Sequence, residues 1–123
     1  MLAREADVLD FVIISQSKAD VDKAFKFMKR AGFKVGAAQD RVTALNLLSH
    51  AQPLLALVDL MVDKSGIELI EEARIFSNET TYIIVCDHKK DAAWAGRKCA
   101  EALAILTWPV PLKSLERYLR SLL

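Results

Sequence analysis

Asp59 is the residue of this chain best placed to do chemistry. It follows the apolar run Leu54-Leu55-Ala56-Leu57-Val58 and precedes Leu60-Met61-Val62-Asp63-Lys64-Ser65-Gly66. A carboxylate at the end of a buried strand can hold a hard cation, accept a phosphoryl group, or bond the amides of the turn it opens. The first two roles need company. Mg²⁺ wants hard oxygen ligands and usually one or two carboxylates. A phosphoryl group needs cations and donors on its equatorial oxygens. Three other apolar runs end where such groups would stand, in Ser15-Gln16, Cys86 and Trp108. None of these is an acid or a lysine, so the constellation reads as a phosphate-accepting site with most of its chemistry removed.

The remaining reactive side chains have plainer readings. Cys86 is expected to be a small buried core residue. Cys86, His88 and Cys99 do not match the ligand spacing of a closed zinc site, so no metal is assigned to them. His50 falls at a helix end, where the C-terminal dipole favours it. Trp108 is bulky, carries a single N–H donor, and can fill the space that a phosphate would occupy.

The elements that position these residues follow from hydrophobic pattern. Phe11-Val12-Ile13-Ile14 is a β-branched and aromatic run, as expected of a strand buried on both faces. Ser17 and Asp20 are candidate caps for a helix with Val21, Ala24, Phe25 and Met28 on its inner stripe, ending at Ala31-Gly32. Phe33 to Ala37 alternates as a second strand. Asp40 caps a helix with Val42, Ala44, Leu45 and Leu48 inward, and Pro53 closes the loop after it. Leu54 to Val58 is the third strand. A helix starts at Ser65-Gly66 with Ile67, Ile70 and Ala73 inward, and Asn78 falls in the turn that follows. Thr81 to Cys86 is the fourth strand, with a helix over roughly Asp91 to Ala100 after it. Leu103 to Leu106 is the fifth strand. Pro111 opens a last helix whose stripe is Leu112, Leu115, Leu119 and Leu122.

Five strands alternating with helices predict an α/β fold: one doubly wound parallel sheet with helices on both faces. Sites in such sheets lie at the carboxyl ends of the strands, where the residues singled out above are found. The 123 residues fit one domain spanning 1–123, and 53% apolar residues suffice for a substantial core. A net charge of +1 gives no global attraction to nucleic acid or anionic membranes. Basic residues cluster locally at Lys26, Lys29, Arg30 and Lys34 and at Arg97 and Lys98, and read as solvated helix ends. Two isolated cysteines point to a reducing cytoplasm; no signal peptide or membrane span is visible.

The chain resembles the receiver domain of bacterial two-component response regulators over nearly its whole length. The resemblance is carried by Val58-Asp59-Leu60-Met61, Ser65-Gly66-Ile67-Glu68-Leu69 and Leu106-Thr107-Trp108-Pro109. It implies a flavodoxin-like (βα)5 fold with strand order 2-1-3-4-5. It also implies a site made of an acid pair after the first strand, a phosphoacceptor aspartate after the third, a hydroxyl after the fourth and Lys-Pro after the fifth, the acids holding Mg²⁺. By position, Asp59 matches the phosphoacceptor and Pro109 the proline, which implies a cis bond between Trp108 and Pro109. Ser15 and Gln16 stand at the acid-pair positions, Cys86 at the hydroxyl, Trp108 at the lysine, and Ile105 at the switch position that is often aromatic. The loop from Asp59 to Gly66 is one residue short and lacks the usual proline.

The expected function is that of a degenerate receiver: a signalling module without enzymatic activity, needing no cofactor, and binding a protein partner or a second copy. The surface implied by the resemblance is the fourth helix, fifth strand and fifth helix, with Trp94, Arg117 and Tyr118 as candidate contacts and Arg120 beside them. Ala92, Ala95 and Cys99 form the inner stripe of the fourth helix, which leaves Trp94 outside or folded back onto Tyr118 or Leu115. The alternative is an active phosphoacceptor in a phosphorelay, using Asp59 and Mg²⁺ with Asp63 or Asp87 as substitute acids. A small-molecule binder at the strand-end crevice ranks last, since no glycine-rich phosphate loop is present.

Overall fold

Phe11 to Ile14 have no exposed surface, so this continuous apolar run is a strand covered on both faces. A computed structural model describes residues 8–62, 66–76, 79–99 and 102–123. The elements in chain order are β1 (Phe11–Ile14), α1 (Lys18–Arg30), β2 (Val35–Ala38), α2 (Arg41–Ala51) and β3 (Leu55–Asp59). They continue with α3 (Gly66–Phe76), β4 (Thr81–Cys86), α4 (Lys89–Lys98), β5 (Ala104–Thr107) and α5 (Leu112–Leu122). All four strand pairings are parallel, in the order β2-β1-β3-β4-β5, so the expected doubly wound sheet is found. Phe11 sits opposite both Val35 and Leu55, and Asp59 sits opposite Val85.

The pleat divides the core into two layers. Phe11, Ile13, Leu57 and Val85 pack with α1 through Val21, Ala24 and Met28, and with α5 through Leu115 and Leu119. Val12, Ile14, Val58 and Ile84 pack with α2, α3 and α4 on the other face. The alternation of strand side chains is what sends neighbours to opposite layers.

Caps fix the helix ends. The Ser17 hydroxyl accepts the Asp20 amide, and the Asp40 carboxylate accepts the amide and hydroxyl of Thr43. Those bonds hold the Asp40 carboxyl below its usual pKa, the Thr43 amide contributing most. After α1 the chain turns at Gly32, whose φ of +99° suits a residue without a Cβ. Pro111 caps α5 instead of sitting in its first turn, with its carbonyl accepting the Ser114 and Leu115 amides.

Several expected boundaries and one face need correction. β2 begins at Val35, not Phe33, because the Phe33 amide bonds back to the Met28 carbonyl and its ring is buried as the exit of α1. β3 includes Asp59, β5 starts at Ala104, and α4 starts at Lys89 with His88 as its cap. Val42 is 71% exposed: α2 buries Ala44, Leu48 and Ala51, and Val42 lies about 200° around the helix from Ala44. Phe25 is only half-buried, with the Lys29 ammonium 5.6 Å from its ring centre. α4 ends at Lys98, short of the expected Ala100, with Cys99 as its cap donating its amide to the Ala95 carbonyl; Ser65 and the Asn78 turn lie outside the described residues. Among the described residues no helix is long and apolar enough to cross a membrane.

Candidate functional site

Three of the strand-end residues converge. Ser15 follows β1, Asp59 ends β3 and Trp108 follows β5. The pleat turns Asp59 to the same side as Leu57, and Ser15 to the same side as Ile13. Ser15 is fully buried and Asp59 is 8% exposed. The Ser15 hydroxyl donates to Asp59 Oδ2 at 2.9 Å, and the Trp108 indole Nε1–H donates to the same oxygen at 3.3 Å. The Met61 amide donates to Asp59 Oδ1 at 2.9 Å, so the carboxylate also closes the turn that it opens. All three donors are neutral.

This arrangement is held from behind. Ser15 Oγ itself accepts the Ser17 amide at 3.1 Å, which orients the hydroxyl as α1 begins. The Leu60 amide donates to the Val85 carbonyl, and the Gly66 amide returns to the Leu60 carbonyl at 2.8 Å. At Gly66 a Cβ would come within 2.4 Å of the Asp59 carbonyl oxygen, so the start of α3 lies directly against the backbone of the site. The Trp108 amide bonds to the Cys86 carbonyl, and its ring packs beside the α1/α5 core layer. The Trp108–Pro109 peptide bond is cis.

The other positions singled out in the sequence lie elsewhere. Cys86 is buried in the opposite layer, with Ile84 and Ala95. Burial pushes its thiol up to about 11, with further push from the negative charges of Asp91, Asp59 and Asp87. Ile105 packs against that same layer, its Cδ1 facing Gly96 of α4. Gln16 and Asp87 are exposed, and Asp63 is outside the described residues. His50 bonds the Asn46 carbonyl at the end of α2, as its helix-end reading implies. Among the described residues, no three His, Cys, Asp or Glu side chains gather as a metal site would require.

On the far side of β5, Ala95 and Cys99 face the core, Ala92 packs partly against it, and Trp94 is 44% exposed. Leu103, just before β5, is exposed as well. Arg117 is exposed, and Tyr118 is half-buried against the core.

The sequence left two features unread. The direction of the Trp108 indole was open, and its single N–H proves to be spent on Asp59. The close approach at Gly66 was missed, although a glycine seven residues after a strand-end acid is a usable signal.

No family model matches the sequence, and no curated protein matches it. Solved structures do. A response regulator receiver domain from Methylobacillus flagellatus is similar at TM-score 0.80 and 22% identity, over 94% of this chain and 99% of that one. A CheY-like receiver domain protein from Methanospirillum hungatei gives 0.79 and 20%, over 93% and 92%. A response regulator from Burkholderia pseudomallei, solved with a phosphorylated aspartic acid, calcium ion and citrate, gives 0.77 and 20%, over 90% of this chain and 66% of that one. The class of fold is thereby defined: the chain has the receiver-domain fold, with Asp59 at the end of its third strand.

Proposed function

We propose that this chain is a receiver-type signalling domain of two-component systems that works as a protein-interaction module, without Mg²⁺-dependent phosphorylation of Asp59. The observation that carries this reading is the engagement of Asp59 by neutral donors. Ser15 and Trp108 stand where the receiver pattern has an acid and a lysine, and both donate to Asp59 Oδ2.

The donor set does not fit Mg²⁺. The ion would need a second hard anionic ligand near Asp59, where Ser15 supplies a hydroxyl already turned onto the carboxylate. An incoming phosphoryl group would meet Trp108 where a cation should neutralise its oxygens. Removing one such charge partner commonly costs about 3 kcal/mol or more of transition-state stabilisation. With both deficits, transfer falls to about background. The domain then has no chemistry to perform; it is not an enzyme, and it acts in the cytoplasm by binding.

The binding surface in this reading is α4, β5 and α5. Trp94 and Leu103 are exposed apolar side chains on or beside this face, and an exposed tryptophan among alanines is the kind of anchor that dominates interfaces. The occupant is a protein partner or a second copy of the domain.

The test is incubation with Mg²⁺ and acetyl phosphate followed by intact-mass measurement. An unchanged mass is expected. Addition of one phosphoryl group that disappears in Asp59→Asn would establish an active phosphoacceptor instead.

A further inference from the structure

The chain is almost neutral, yet its charge is not evenly spread. On α1, Lys23, Lys26 and Arg30 stand at three- and four-residue spacing, all exposed and turned away from buried Val21, Ala24 and Met28. On α5, Lys113, Arg117 and Arg120 stand at the same spacing, again exposed and turned away from Leu115 and Leu119. The two helices cover the same face of the sheet. They are joined at one end, where the Arg120 guanidinium lies 4.9 Å from the ring centre of Phe33, just beyond α1. Both follow strands of a parallel sheet and precede or end the next crossover, so they run side by side in the same direction. The result is two parallel rows of cations flanking the valley between α1 and α5.

Local acids offset these rows only in part, at Arg120. Asp22 is exposed near the start of α1, and Glu116 is tied to Arg120 at 2.9 Å. Helix dipoles account for Arg30 and Arg120, which lie in last turns, but not for Lys23, Lys26, Lys113 and Arg117. Of the large exposed apolar side chains among the described residues, Leu123 caps the end of α5 and the others lie off α1 and α5, so binding along the two rows would be driven by charge.

We infer that the α1/α5 valley docks an acidic helix of a partner protein. Packed helices lie about 8–10 Å apart, and the valley between them suits a third helix. Cations three and four residues apart advance about 4.5–6 Å along the axis, the same step as glutamates so spaced on an opposing helix. The surface shares α5 and Arg117 with the proposed α4/β5/α5 face but not Trp94, which stands on α4, and Arg120 reaches the Phe33 ring just beyond α1.

The probe is a fluorescein-labelled helical Ala/Glu peptide of about 20 residues, about 30 Å long, with Glu at three- and four-residue spacing. Anisotropy should show binding at low salt that weakens at least about tenfold as the Debye length falls to about 3 Å at 1 M salt. Lys26→Glu with Arg117→Glu should weaken low-salt binding at least about tenfold, and Lys26→Gln with Arg117→Gln by less, while Trp94→Ala leaves it unchanged. Unaltered binding in both charge variants, with far-UV circular dichroism showing them folded, overturns the inference. Tighter binding of duplex DNA or phosphatidylserine vesicles than of the peptide does so too.

Discussion

The indole of Trp108 and the carboxylate of Asp59 are hydrogen-bonded across the carboxyl edge of the sheet, Nε1 to Oδ2 at 3.3 Å. The contact joins the end of β3 to the loop after β5 and passes beyond β4, which lies between them. The Ser15 hydroxyl on the same oxygen brings in the end of β1. One buried carboxylate therefore ties three strand ends together through the neutral donors Ser15, Trp108 and Met61. In the proposed reading this standing tie replaces a phosphorylation-dependent one.

Removing the Ser15 hydroxyl tests how much the tie contributes. Among the described residues, Ser15→Ala leaves Asp59 Oδ2 with the longer indole bond and strips the Ser17 amide of its acceptor. Hydrogen bonds to charged groups contribute about 1.5–3 kcal/mol, so a loss of about 2 kcal/mol is expected in urea unfolding at pH 7. Trp108→Phe removes the longer bond while keeping most of the ring packing, and should cost about 1 kcal/mol. A Ser15→Ala midpoint equal to that of the wild type would mean that the hydroxyl does not stabilise the carboxylate.

Trp94 makes the opposite kind of prediction. At 44% exposure it adds little to the fold, and Trp94→Ala should shift stability by less than about 1 kcal/mol. If α4 and β5 carry the binding surface, the same change should abolish self-association or partner binding measured by sedimentation velocity. Association that persists in Trp94→Ala removes this residue from the surface.

Much of the fold was legible because strands buried on both faces read as unbroken apolar runs. Phe11-Val12-Ile13-Ile14 and Ile83-Ile84-Val85 allowed little else, and five such runs between helices implied a doubly wound parallel sheet, while the strand order was implied by the receiver resemblance. The phase of α2 was less legible. Ala44, Leu45, Leu47, Leu48 and Ala51 place apolar groups on several sides, so nothing in the pattern said that Val42 faces solvent. At the site, residue types showed which charges were missing, but not which side chains would meet. Ser15, Asp59 and Trp108 come together because of pleat parity and packing beside the α1/α5 layer. The same parity sends Cys86 to the other layer.

Two glycines on this scaffold should respond very differently to alanine. At Gly66 the new methyl would lie 2.4 Å from the Asp59 carbonyl oxygen and 3.0 Å from Leu60 Cα, both backbone atoms that cannot step aside cheaply. Gly66→Ala should cost about 3 kcal/mol and disturb the Asp59 turn. At Gly96 the methyl meets only the end of the Ile105 side chain, at 3.3 Å, and alanine is favoured by about 1 kcal/mol within a helix. Gly96→Ala should therefore be neutral or slightly stabilising. Equal midpoints for the two variants in urea would contradict the close approach at Gly66.

Alkaline pH should expose the cost of the two buried acids in β4. Burial raises the Cys86 thiol to about 11, with the nearby carboxylates adding to it. It raises the Tyr82 hydroxyl to about 12, although Arg74 and the Thr80 hydroxyl pull the other way. Both groups are neutral in the folded and unfolded chain below about pH 9. Above that, the unfolded chain releases these protons first, so it binds fewer than the native state and stability falls as pH rises. The loss should begin near pH 9 for Cys86 and near pH 10 for Tyr82, and be complete once pH passes the folded values. Each group should contribute about 1–3 kcal/mol to it. The nearby Thr80 hydroxyl is bonded to the Pro53 carbonyl, and the Tyr82 hydroxyl makes no well-aligned hydrogen bond among the described residues, so Tyr82→Phe should leave stability at pH 7 nearly unchanged. It should also flatten the decline between pH 10 and 12. Urea midpoints measured from pH 7 to 12 decide this, and a decline as steep in Tyr82→Phe as in the wild type would show that Tyr82 does not drive it.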